Sequence, residues 1–407
     1  MIEPITLKGK YGEAKIYAKT IENDLISQCI ELLNQPMTKN SQIRIMPDTH
    51  AGKGCMIGTT MKIENNLCPN LVGVDIGCGM LTVAIGKEDL DFDKLDDVIT
   101  KYVPLGFESH PKITKEAEDF FKNKKVIAEI DYSIPKRALG TLGGGNHFIE
   151  IDEESNGEKY LIIHTGSRNF GKQIAEYWQN IAIEEMVKPN LIDIPKKIEE
   201  LKAQKRFKEI ESMIKDAKLK NKQALENAPN KDLATISGEN LKGYLHDAKI
   251  AQEYAALNRK LIAHTILSNY FGKDLDEFEY FETIHNYIDI KEMMLRKGAI
   301  SAKLGEKVLI PLNMRDGSLI AVGKGNVEWN NSAPHGAGRL MSRAKAKDSI
   351  NLEDFKETMK GIHSISVNES TLDESPFAYK NAEEIIDCVK DTVDIIKHIK
   401  PIYNRKA

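Results

Sequence analysis

The sequence predicts an α+β fold, with one large mixed α/β domain in which helices surround a β-sheet core. Short apolar runs broken by glycine turns occur in both halves of the chain, and amphipathic helical patterns separate them. No internal repeat and no convincing linker divides the 407 residues. We therefore expect one domain over residues 1–407, with a helical surface insertion at 187–235 inside it.

The first part of the chain is predicted to form strands, then two helices, then two more strands. Between residues 41 and 85, three apolar stretches end or break at glycines: IRIMPDTHAGKG, MIGTTMKI and LVGVDIGCGMLTVAIG. Helical spacing of apolar residues follows in DFDKLDDVITKYV and TKEAEDFFKNKKVIAEI. The next two strands each carry a glycine-rich turn at one end: TLGGGNHFIEID and KYLIIHTGSRNFG.

The middle of the chain is predicted to be helical. KQIAEYWQNIAIEEMV has an amphipathic pattern, and residues 187–235 are rich in Lys and Glu. Such a mixed charge run favours solvent-exposed helices, although its excess of cations leaves a nucleic-acid-facing arm as the alternative. A longer helix is expected over 239–270. Its broad apolar face comprises Leu245, Ala248, Ala251, Ala255, Leu261 and Ile262.

After Gly272 the β pattern returns in three stretches: FEYFETIHNYIDI, KVLIPLN and SLIAVGKG. The glycine turn HGAGR is then predicted to open a helix over LMSRAKA. A last helix over AEEIIDCVKDTVDIIKHI is expected to end at an extended tail, KPIYNRKA.

Charge, cysteine content and hydropathy limit the classes of function. The net charge of −4 argues against bulk electrostatic coating of nucleic acid but leaves room for a local basic groove. The five cysteines are odd in number and show no disulfide framework, as in a reducing compartment. No apolar run approaches the roughly 20 residues of a membrane span, and the first residues lack a secretory signal. We expect a cytoplasmic protein without a membrane partner.

Five potential metal ligands occur at turns and strand ends. The stretch LVGVDIGCGM places a carboxylate and a thiol in one glycine-rich turn, and three histidines lie in similar positions farther along. Each histidine alone has an ordinary explanation, a hydrogen bond to a backbone carbonyl. Together they form a mixed oxygen, sulfur and nitrogen set that suits Mn²⁺, Zn²⁺, Fe²⁺ or Co²⁺. The candidates are Asp75, Cys78, His147, His164 and His285.

The spacing of these ligands favours a catalytic site. They are spread over more than two hundred residues and lack the C-x₂-C spacing of structural zinc sites. Five ligands also exceed the needs of one tetrahedral ion. Two ions that share a bridging thiolate or carboxylate are therefore the natural interpretation, and paired ions serve phosphoryl chemistry.

Two glycine turns are predicted to hold phosphate. HTGSRNFGKQ and HGAGRLMSR each run from a glycine turn toward a helix, where backbone N–H groups attract anions. Arg168 and Arg339 add planar two-point donors. His335 lies on the second turn, and a neutral imidazole nitrogen can attack activated phosphorus. His285 is the alternative nucleophile, but the adjoining glycines favour His335.

These stretches, in this order, resemble the RtcB family of RNA ligases, which join 3′-phosphate or 2′,3′-cyclic phosphate ends to 5′-hydroxyl ends. The resemblance spans residues 45–407 and implies the family's single catalytic domain. The matching blocks are MPDTHAGKG, VGVDIGCGM, GTLGGGNHFIE, HTGSRNFG, HNY, RKGA, HGAGRLMSR and SISVNESTLDESPFAYKNAEEI.

The resemblance implies two Mn²⁺ per subunit and GTP as cofactors. Asp75, Cys78, His147, His164 and His285 would hold the ions, with Cys78 bridging. His335 would take GMP from GTP and pass it to the RNA 3′-phosphate, and the 5′-hydroxyl would then displace GMP.

The resemblance also implies a guanine nucleotide pocket. Glu150 would accept from the N1–H and N2–H₂ groups that distinguish guanine from adenine. Arg168 would hold an RNA phosphate. Lys400 is a rival of Lys406, because the chain ends in RKA where the family commonly has Lys-Gly. The full set of implied nucleotide contacts is Asn146, Glu150, Ser318, Gly336, Ala337, Gly338, Tyr379 and Lys406.

The implied partner is an RNA with these ends, in tRNA splicing or RNA repair, with an archease-like activator as a further possibility. A metal-dependent phosphoesterase acting on RNA 3′ ends is one alternative, and it needs neither His335 nor a guanine pocket. A non-catalytic RNA- or ribosome-associated factor is the other. The presence of every ligand and of the nucleophile speaks against the second alternative.

Overall fold

The computed structural model describes residues 3–19 and 21–406. Strands and helices alternate along these ranges, and no helix within them is long and apolar enough to cross a membrane. The strands are β1 (Ile5–Lys8), β2 (Glu13–Ile16), β3 (Ile43–His50), β4 (Ile57–Lys62), β5 (Asn66–Leu67), β6 (Gly79–Gly86), β7 (Phe148–Glu153), β8 (Lys159–Thr165), β9 (Ile236–Ser237), β10 (Tyr280–Ile284), β11 (Asn286–Asp289), β12 (Met294–Lys297), β13 (Ala299–Ser301), β14 (Lys307–Asn313), β15 (Gly317–Gly323), β16 (Ser332–Pro334) and β17 (Val393–Lys406). The α-helices are α1 (Asn23–Leu33), α2 (Phe92–Tyr102), α3 (Lys115–Asn123), α4 (Pro135–Ala138), α5 (Arg168–Val187), α6 (Ile194–Ala203), α7 (Ile210–Glu226), α8 (Gly238–Tyr270), α9 (Arg343–Ser349), α10 (Leu352–Thr358) and α11 (Ala382–Val389).

Two sheets form the β core of the described chain. The seven-stranded sheet has the order β10-β6-β8-β7-β17-β15-β14, and all its neighbours are antiparallel. The six-stranded sheet has the order β1-β2-β3-β4-β12-β11, with β2 and β3 parallel. Pairing in the first sheet brings distant residues together: His164 lies opposite Phe148, and Glu150 lies opposite Asn404. The α+β fold class predicted from the sequence is confirmed.

Helix α8 supports the loops at one end of the seven-stranded sheet. Its predicted apolar face is largely buried, and Ala248, Ala251 and Ile262 are fully covered. Three polar or charged residues on the same helix, Asp247, Asn258 and Arg259, are also fully buried. Asn258 accepts from the Gly140 N–H (2.7 Å) and donates to the Gly166 carbonyl (3.2 Å), so one helix side chain holds two glycine-rich loops.

The segment 187–235 contains α6 and α7, and in these helices only Ala217 is buried. This placement agrees with the solvated-helix interpretation of its mixed charges. The domain limits stay a prediction, since residues 1 and 407 lie outside the described residues.

Three predicted elements are wrong in extent or type. The last helix ends at Val389, and the β-branched sequence after it forms β17, because it is paired on both sides by β15 and β7. Helix α3 ends at Asn123 and does not include the KKVIAEI stretch. The HGAGR turn does not open a helix. Instead, Arg339 forms an isolated β-bridge with Tyr379, and the Leu340 N–H donates to the Ala378 carbonyl. Helix α9 begins only at Arg343, where Ser342 caps it.

Candidate metal centre and nucleotide pocket

The glycine-rich turn before β6 is held at the start of α5. The backbone N–H of Ser167 donates to Asp75 Oδ1 (2.8 Å), and the Ser167 hydroxyl lies 3.3 Å from the same oxygen. Gly166 makes room for this contact, since a Cβ there would lie 2.1 Å from Asp75 Oδ1. The Ser167 N–H and the missing side chain of Gly166 thus fix the position of the Asp75 carboxylate.

Three imidazoles converge on the thiol of Cys78. The Cys78 Sγ lies 3.6 Å from His147 Nε2 and 3.3 Å from His164 Nε2. His164 Nε2 lies 3.4 Å from His285 Nε2, and His147 Nε2 lies 3.0 Å from Asp75 Oδ2. The structure therefore brings together all five ligands proposed from the sequence.

The other ring nitrogens fix the tautomers of two histidines. His147 Nδ1 donates to the Leu142 carbonyl (2.9 Å), and His164 Nδ1 donates to the Asn146 carbonyl (3.0 Å). Each Nε2 is then left with a lone pair that faces the other ligands. Backbone carbonyls commonly orient metal-binding histidines in this way.

The arrangement of these donors fits a bound cation. The Nε2 lone pair of His164 faces His285 Nε2, and the Nε2 lone pair of His147 faces a carboxylate oxygen. Burial, with neighbouring imidazoles, lowers the pKa of His164 and of His285 well below the ordinary value, which disfavours a proton there. A divalent metal ion therefore fits the arrangement better than added protons.

The donors form two groups that share one residue. Asp75, Cys78 and His147 make the first group, and Cys78, His164 and His285 make the second, with the ligand atoms of each group within 4.8 Å of one another. A thiolate can bridge two ions, so the shared position of Cys78 fits a pair. Burial, followed by the charge of Asp75, raises the pKa of the Cys78 thiol, and a bound cation would reverse this effect.

His335 is held by a buried carboxylate on β3. Its Nδ1 lies 2.6 Å from Asp48 Oδ2, and the backbone N–H groups of His335 and Gly336 donate to the same oxygen at 3.0 and 3.3 Å. Asp48 is completely buried. The carboxylate accepts a hydrogen bond from Nδ1–H, which leaves Nε2 with a free lone pair. The His335 ring centroid is 5.0 Å from that of His285, beside the metal ligands.

Sequence reasoning missed Asp48, although the residue lies in the quoted MPDTHAGKG block. A carboxylate inside a stretch predicted to be a buried strand was the available signal, since such a group needs a partner. The partner is 287 positions away, so the pattern of the strand alone does not reveal it.

A cavity of about 720 Å³ opens beside these residues. His335 and the metal ligands His164 and His285 contribute to its wall. Of the nucleotide contacts expected from the sequence, it is lined by Asn146, Glu150, Gly336, Ala337, Gly338, Tyr379 and Lys406.

Three of the residues proposed from the sequence for nucleotide or RNA contacts lie outside this wall. Ser318 is fully buried on β15, with a hydroxyl that has no hydrogen-bond partner among the described residues. Lys400 is exposed and does not line the cavity, whereas its rival Lys406 does. Arg168 is tied by its guanidinium to the Gly106 carbonyl (3.0 Å) and to the hydroxyl of Thr141 (3.3 Å).

One end of the cavity carries two buried carboxyl groups. Asn404 Nδ2 donates to Glu150 Oε2 (2.5 Å), and Asp152 lies two residues farther along the same strand, fully buried. Burial raises the pKa of both Glu150 and Asp152, most strongly that of Asp152. This end therefore offers an oriented carboxylate edge with a neutral carboxyl group behind it.

Glu374 organises the opposite wall. It accepts from the Lys406 ammonium (2.7 Å) and from the Tyr379 hydroxyl (2.7 Å), and Arg343 lies against its other oxygen. Arg339 donates to the Asp373 carbonyl (2.6 Å) and lies 3.5 Å from Glu374. The phosphate role suggested for Arg339 therefore competes with contacts inside the protein.

The site combines a buried group of mixed metal donors with an imidazole that is held by a carboxylate, and it lies at the wall of a cavity large enough for a nucleotide. This combination is typical of metal-dependent enzymes that transfer phosphoryl or nucleotidyl groups. Comparison with known proteins then identifies the family. The profile of a family described as tRNA-splicing ligase RtcB matches residues 28–133 and 121–407.

Named relatives agree over most of their length. The chain is 29% identical over 424 residues to the RNA-splicing ligase RtcB of Escherichia coli (strain K12), covering 94% of each protein. It is 27% identical to the tRNA-splicing ligase RtcB of Aeropyrum pernix, covering 84% of this chain and 82% of that protein. It is 26% identical to the tRNA-splicing ligase RtcB of Archaeoglobus fulgidus, covering 91% and 88%. The chain belongs to the RtcB family, which confirms the resemblance seen in its sequence blocks.

The shared position of Cys78 predicts how metal content responds to substitution. Cys78→Ala removes a ligand from both donor groups and should reduce bound Mn²⁺ from about two ions per chain to well below one. His147→Ala, which touches only one group, should retain about one ion, and His335→Ala should retain both. Elemental analysis of Mn²⁺-reconstituted, desalted protein measures this directly. Full metal content in Cys78→Ala would show that the thiol is not a ligand.

Glu374 predicts a pH-dependent contribution to stability. Burial alone would raise its pKa, but Lys406 and Arg343 outweigh burial and bring the pKa to about 2. The folded state therefore binds this proton less tightly than the unfolded chain. The stabilisation, about 3 kcal/mol, is complete above about pH 4.5 and is lost as the pH falls toward 2.

Glu374→Gln should accordingly lower the free energy of unfolding by about 3 kcal/mol at pH 7, with a smaller difference at pH 3. Denaturant titration at both values gives the comparison. Glu353→Gln is the matched control, because its exposed ion pair with Lys356 is worth less than about 1 kcal/mol. Equal losses in the two variants would contradict the role of the buried network.

Proposed function

We propose that this protein joins RNA 3′-phosphate or 2′,3′-cyclic phosphate ends to 5′-hydroxyl ends, with GTP and two Mn²⁺ as cofactors, in tRNA splicing or RNA repair. Family membership supports the coarser statement, an RNA ligase. The finer statement is based mainly on one observation. His335, oriented by Asp48, shares a cavity wall with the metal ligands and with Glu150 and Lys406.

The first step is attack of His335 Nε2 on the α-phosphorus of GTP. A nitrogen–phosphorus bond forms, and the bond to the leaving pyrophosphate oxygen breaks. Asp48 holds the Nδ1 proton, so the imidazole presents an unprotonated Nε2, and its negative charge stabilises the ring as positive charge develops. Two backbone N–H groups fix Asp48 in turn, which keeps the ring aimed at one position.

Asp75, Cys78, His147, His164 and His285 would hold the metal ions in this proposal. When bound, divalent ions neutralise phosphate oxygens and lower the pKa of a coordinated hydroxyl or water. The protein contributes the burial and the fixed tautomers that keep each ligand atom pointed inward. The thiolate and imidazole donors also make the centre more selective than a cluster of carboxylates would be.

The Glu150 end of the cavity is suited to guanine. Its carboxylate can accept from the N1–H and N2–H₂ groups of guanine, while Asn404 holds it in place. Adenine presents no N1–H, so a buried acceptor would be left unpaired. Tyr379 and Lys406 face the same space, and the Gly336–Gly338 turn brings backbone close to the phosphates.

The RNA reaction follows from the same geometry. An oxygen of the RNA 3′-phosphate attacks the phosphorus on His335, which releases Nε2 and leaves a guanylated RNA end. The 5′-hydroxyl then attacks the 3′-phosphorus, forms the phosphodiester and expels GMP. Arg168 keeps Nη1 free of hydrogen bonds among the described residues, and this group is available to hold an RNA phosphate.

A cytoplasmic location and an archease-like activator belong to the same proposal. The odd number of cysteines without a disulfide framework supports the location. The activator is carried over from the sequence resemblance.

His335 predicts a covalent adduct. Incubation with Mn²⁺ and GTP should add one GMP to the wild-type chain, and His335→Ala should form none, as measured by intact-protein mass spectrometry. Asp48→Asn should form the adduct about 10² to 10⁴ times more slowly, because the imidazole loses the acceptor that sets its tautomer. His398→Ala, on an exposed part of β17, is the control. RNA end hydrolysis without any adduct would favour the phosphoesterase alternative.

Glu150 predicts nucleotide selectivity. Glu150→Gln should lower the preference for GTP over ATP in adduct formation by at least tenfold, since an amide cannot replace a two-point acceptor. Initial rates with each labelled nucleotide give the ratio. Lys406→Met should also slow GTP use, whereas Lys400→Met should behave as wild type. A reversed result for the two lysines would assign the nucleotide contact to Lys400.

A further inference from the structure

A second cavity, of about 390 Å³, lies directly beside the nucleotide cavity. Lys406 forms part of the wall of both, so the two cavities adjoin at this residue. The remaining wall comes from the end of α2, the loop after it, the 365–371 segment and β17. It comprises Thr100, Val103, Leu105, Gly106, Glu108, Ile365, Ser366, Asn368, Ser370, Thr371 and Arg405.

The second cavity also adjoins the metal centre. The Gly106 carbonyl in its wall accepts from Arg168 Nη2 (3.0 Å). Arg168 follows Ser167, whose N–H holds the Asp75 carboxylate. A strand of RNA that leaves the reacting end past Arg168 therefore meets this cavity next.

Arg405 supplies a positive charge to the wall. Its Nη2 lies 3.2 Å from the hydroxyl of Thr100, and its Nη1 lies 3.5 Å from Asp96. Its Nε is buried and has no partner among the described residues. The ion pair with Asp96 and the Glu108 carboxylate in the wall offset this charge, while the Nε–H remains a donor without a partner.

The alternation of β17 explains why Arg405 is here. Successive side chains of a strand point to opposite faces. Asn404 and Lys406 reach the nucleotide cavity, and Arg405 reaches only the second one. Residues 404–406 at the end of β17 therefore line both cavities.

Two exposed apolar side chains flank the cavity. Phe107 is fully exposed, and the residues on either side of it, Gly106 and Glu108, both line the cavity. Ile365, in the wall contributed by the other loop, is 57% exposed. An exposed aromatic ring beside a cavity whose wall carries Arg and Lys side chains is the arrangement on which single-stranded nucleic acid stacks its bases.

We propose that this cavity binds one nucleotide of the RNA strand next to the reacting end, with its phosphate near Arg405 and its base stacked on Phe107. The inference rests on the proposed function and adds a substrate subsite to it. Its position between Arg168 and Lys406 makes it continuous with both the metal centre and the nucleotide pocket. The strand that occupies it, with the 3′-phosphate or with the 5′-hydroxyl, is decided by experiment.

The test uses short RNAs with 2-aminopurine at the nucleotide beside the 3′-phosphate or beside the 5′-hydroxyl. Binding to the wild-type, Mn²⁺-loaded protein should quench the fluorescence of the probe in one of the two strands. Phe107→Ala should remove this quenching and weaken the RNA Kd roughly tenfold, within the usual range for loss of one stacked base. Formation of the GMP adduct should stay unchanged, because Phe107 does not line the nucleotide cavity.

Phe207→Ala is the matched control, since Phe207 is also an exposed aromatic residue but lies in the 187–235 insertion. Arg405→Met should reduce the salt dependence of RNA binding by about one phosphate contact, and Arg405→Lys should restore most of it.

The inference fails if Phe107→Ala binds and quenches both probes as the wild type does, or if Phe207→Ala causes the same loss. A wild-type protein that forms no GMP adduct would overturn the proposed ligase chemistry instead. Since probe quenching is measured without GTP, the two failures are distinguished.

Discussion

The candidate functional site depends on how helix α8 holds the glycine turn that carries Asp75 and Cys78. Arg259, fully buried on α8, donates to the Gly77 carbonyl (2.8 Å) and to the Thr165 carbonyl (3.0 Å), and it pairs with Glu282 (3.1 Å). Gly77 has a positive φ, and a Cβ there would lie 2.9 Å from the backbone of α8. Only a glycine lets the turn approach the helix this closely. The helix thereby sets the depth of the thiol relative to three imidazoles: His164 on β8, His147 just before β7, and His285 between β10 and β11.

Much of this arrangement could be predicted from the sequence because its signals are local. Glycine turns beside apolar runs marked the starts of β6 and β7 and the end of β8, and four of the five candidate ligands lie at these turns. The fifth, His285, lies between β10 and β11. Non-local contacts could not be seen in the same way. The role of Asp48 depends on its hydrogen bond to His335, which is distant in the sequence. Similarly, β17 forms a strand because β15 and β7 pair with it on both sides. Tertiary pairing outweighed the helical spacing of its apolar residues.

Charge in the nucleotide cavity is balanced before any ligand enters. Glu374 is compensated by Lys406 and Arg343, whereas Glu150 has an amide partner and a second carboxyl group behind it. Burial of uncompensated charge is costly, so the cavity keeps its free hydrogen-bonding capacity at the Glu150 edge. An incoming base with N–H donors would satisfy this edge. The same logic applies at the candidate metal centre, where a bound cation would compensate the closely spaced carboxylate, thiol and imidazole donors.

The strand assignment of β17 has consequences beyond the fold, because it decides which cavity each of its last side chains enters. A helix would have distributed residues 404, 405 and 406 around an axis at about 100° intervals, and no two would have faced the nucleotide cavity together. The pleated strand places Asn404 beside Glu150 and Lys406 beside Glu374, and it sends Arg405 to the neighbouring cavity. In the proposed function, this one extended segment would connect the selection of the base with the positioning of the strand to be joined. A change in the register of β17 would disturb both together, whereas a change at Phe107 affects only the second.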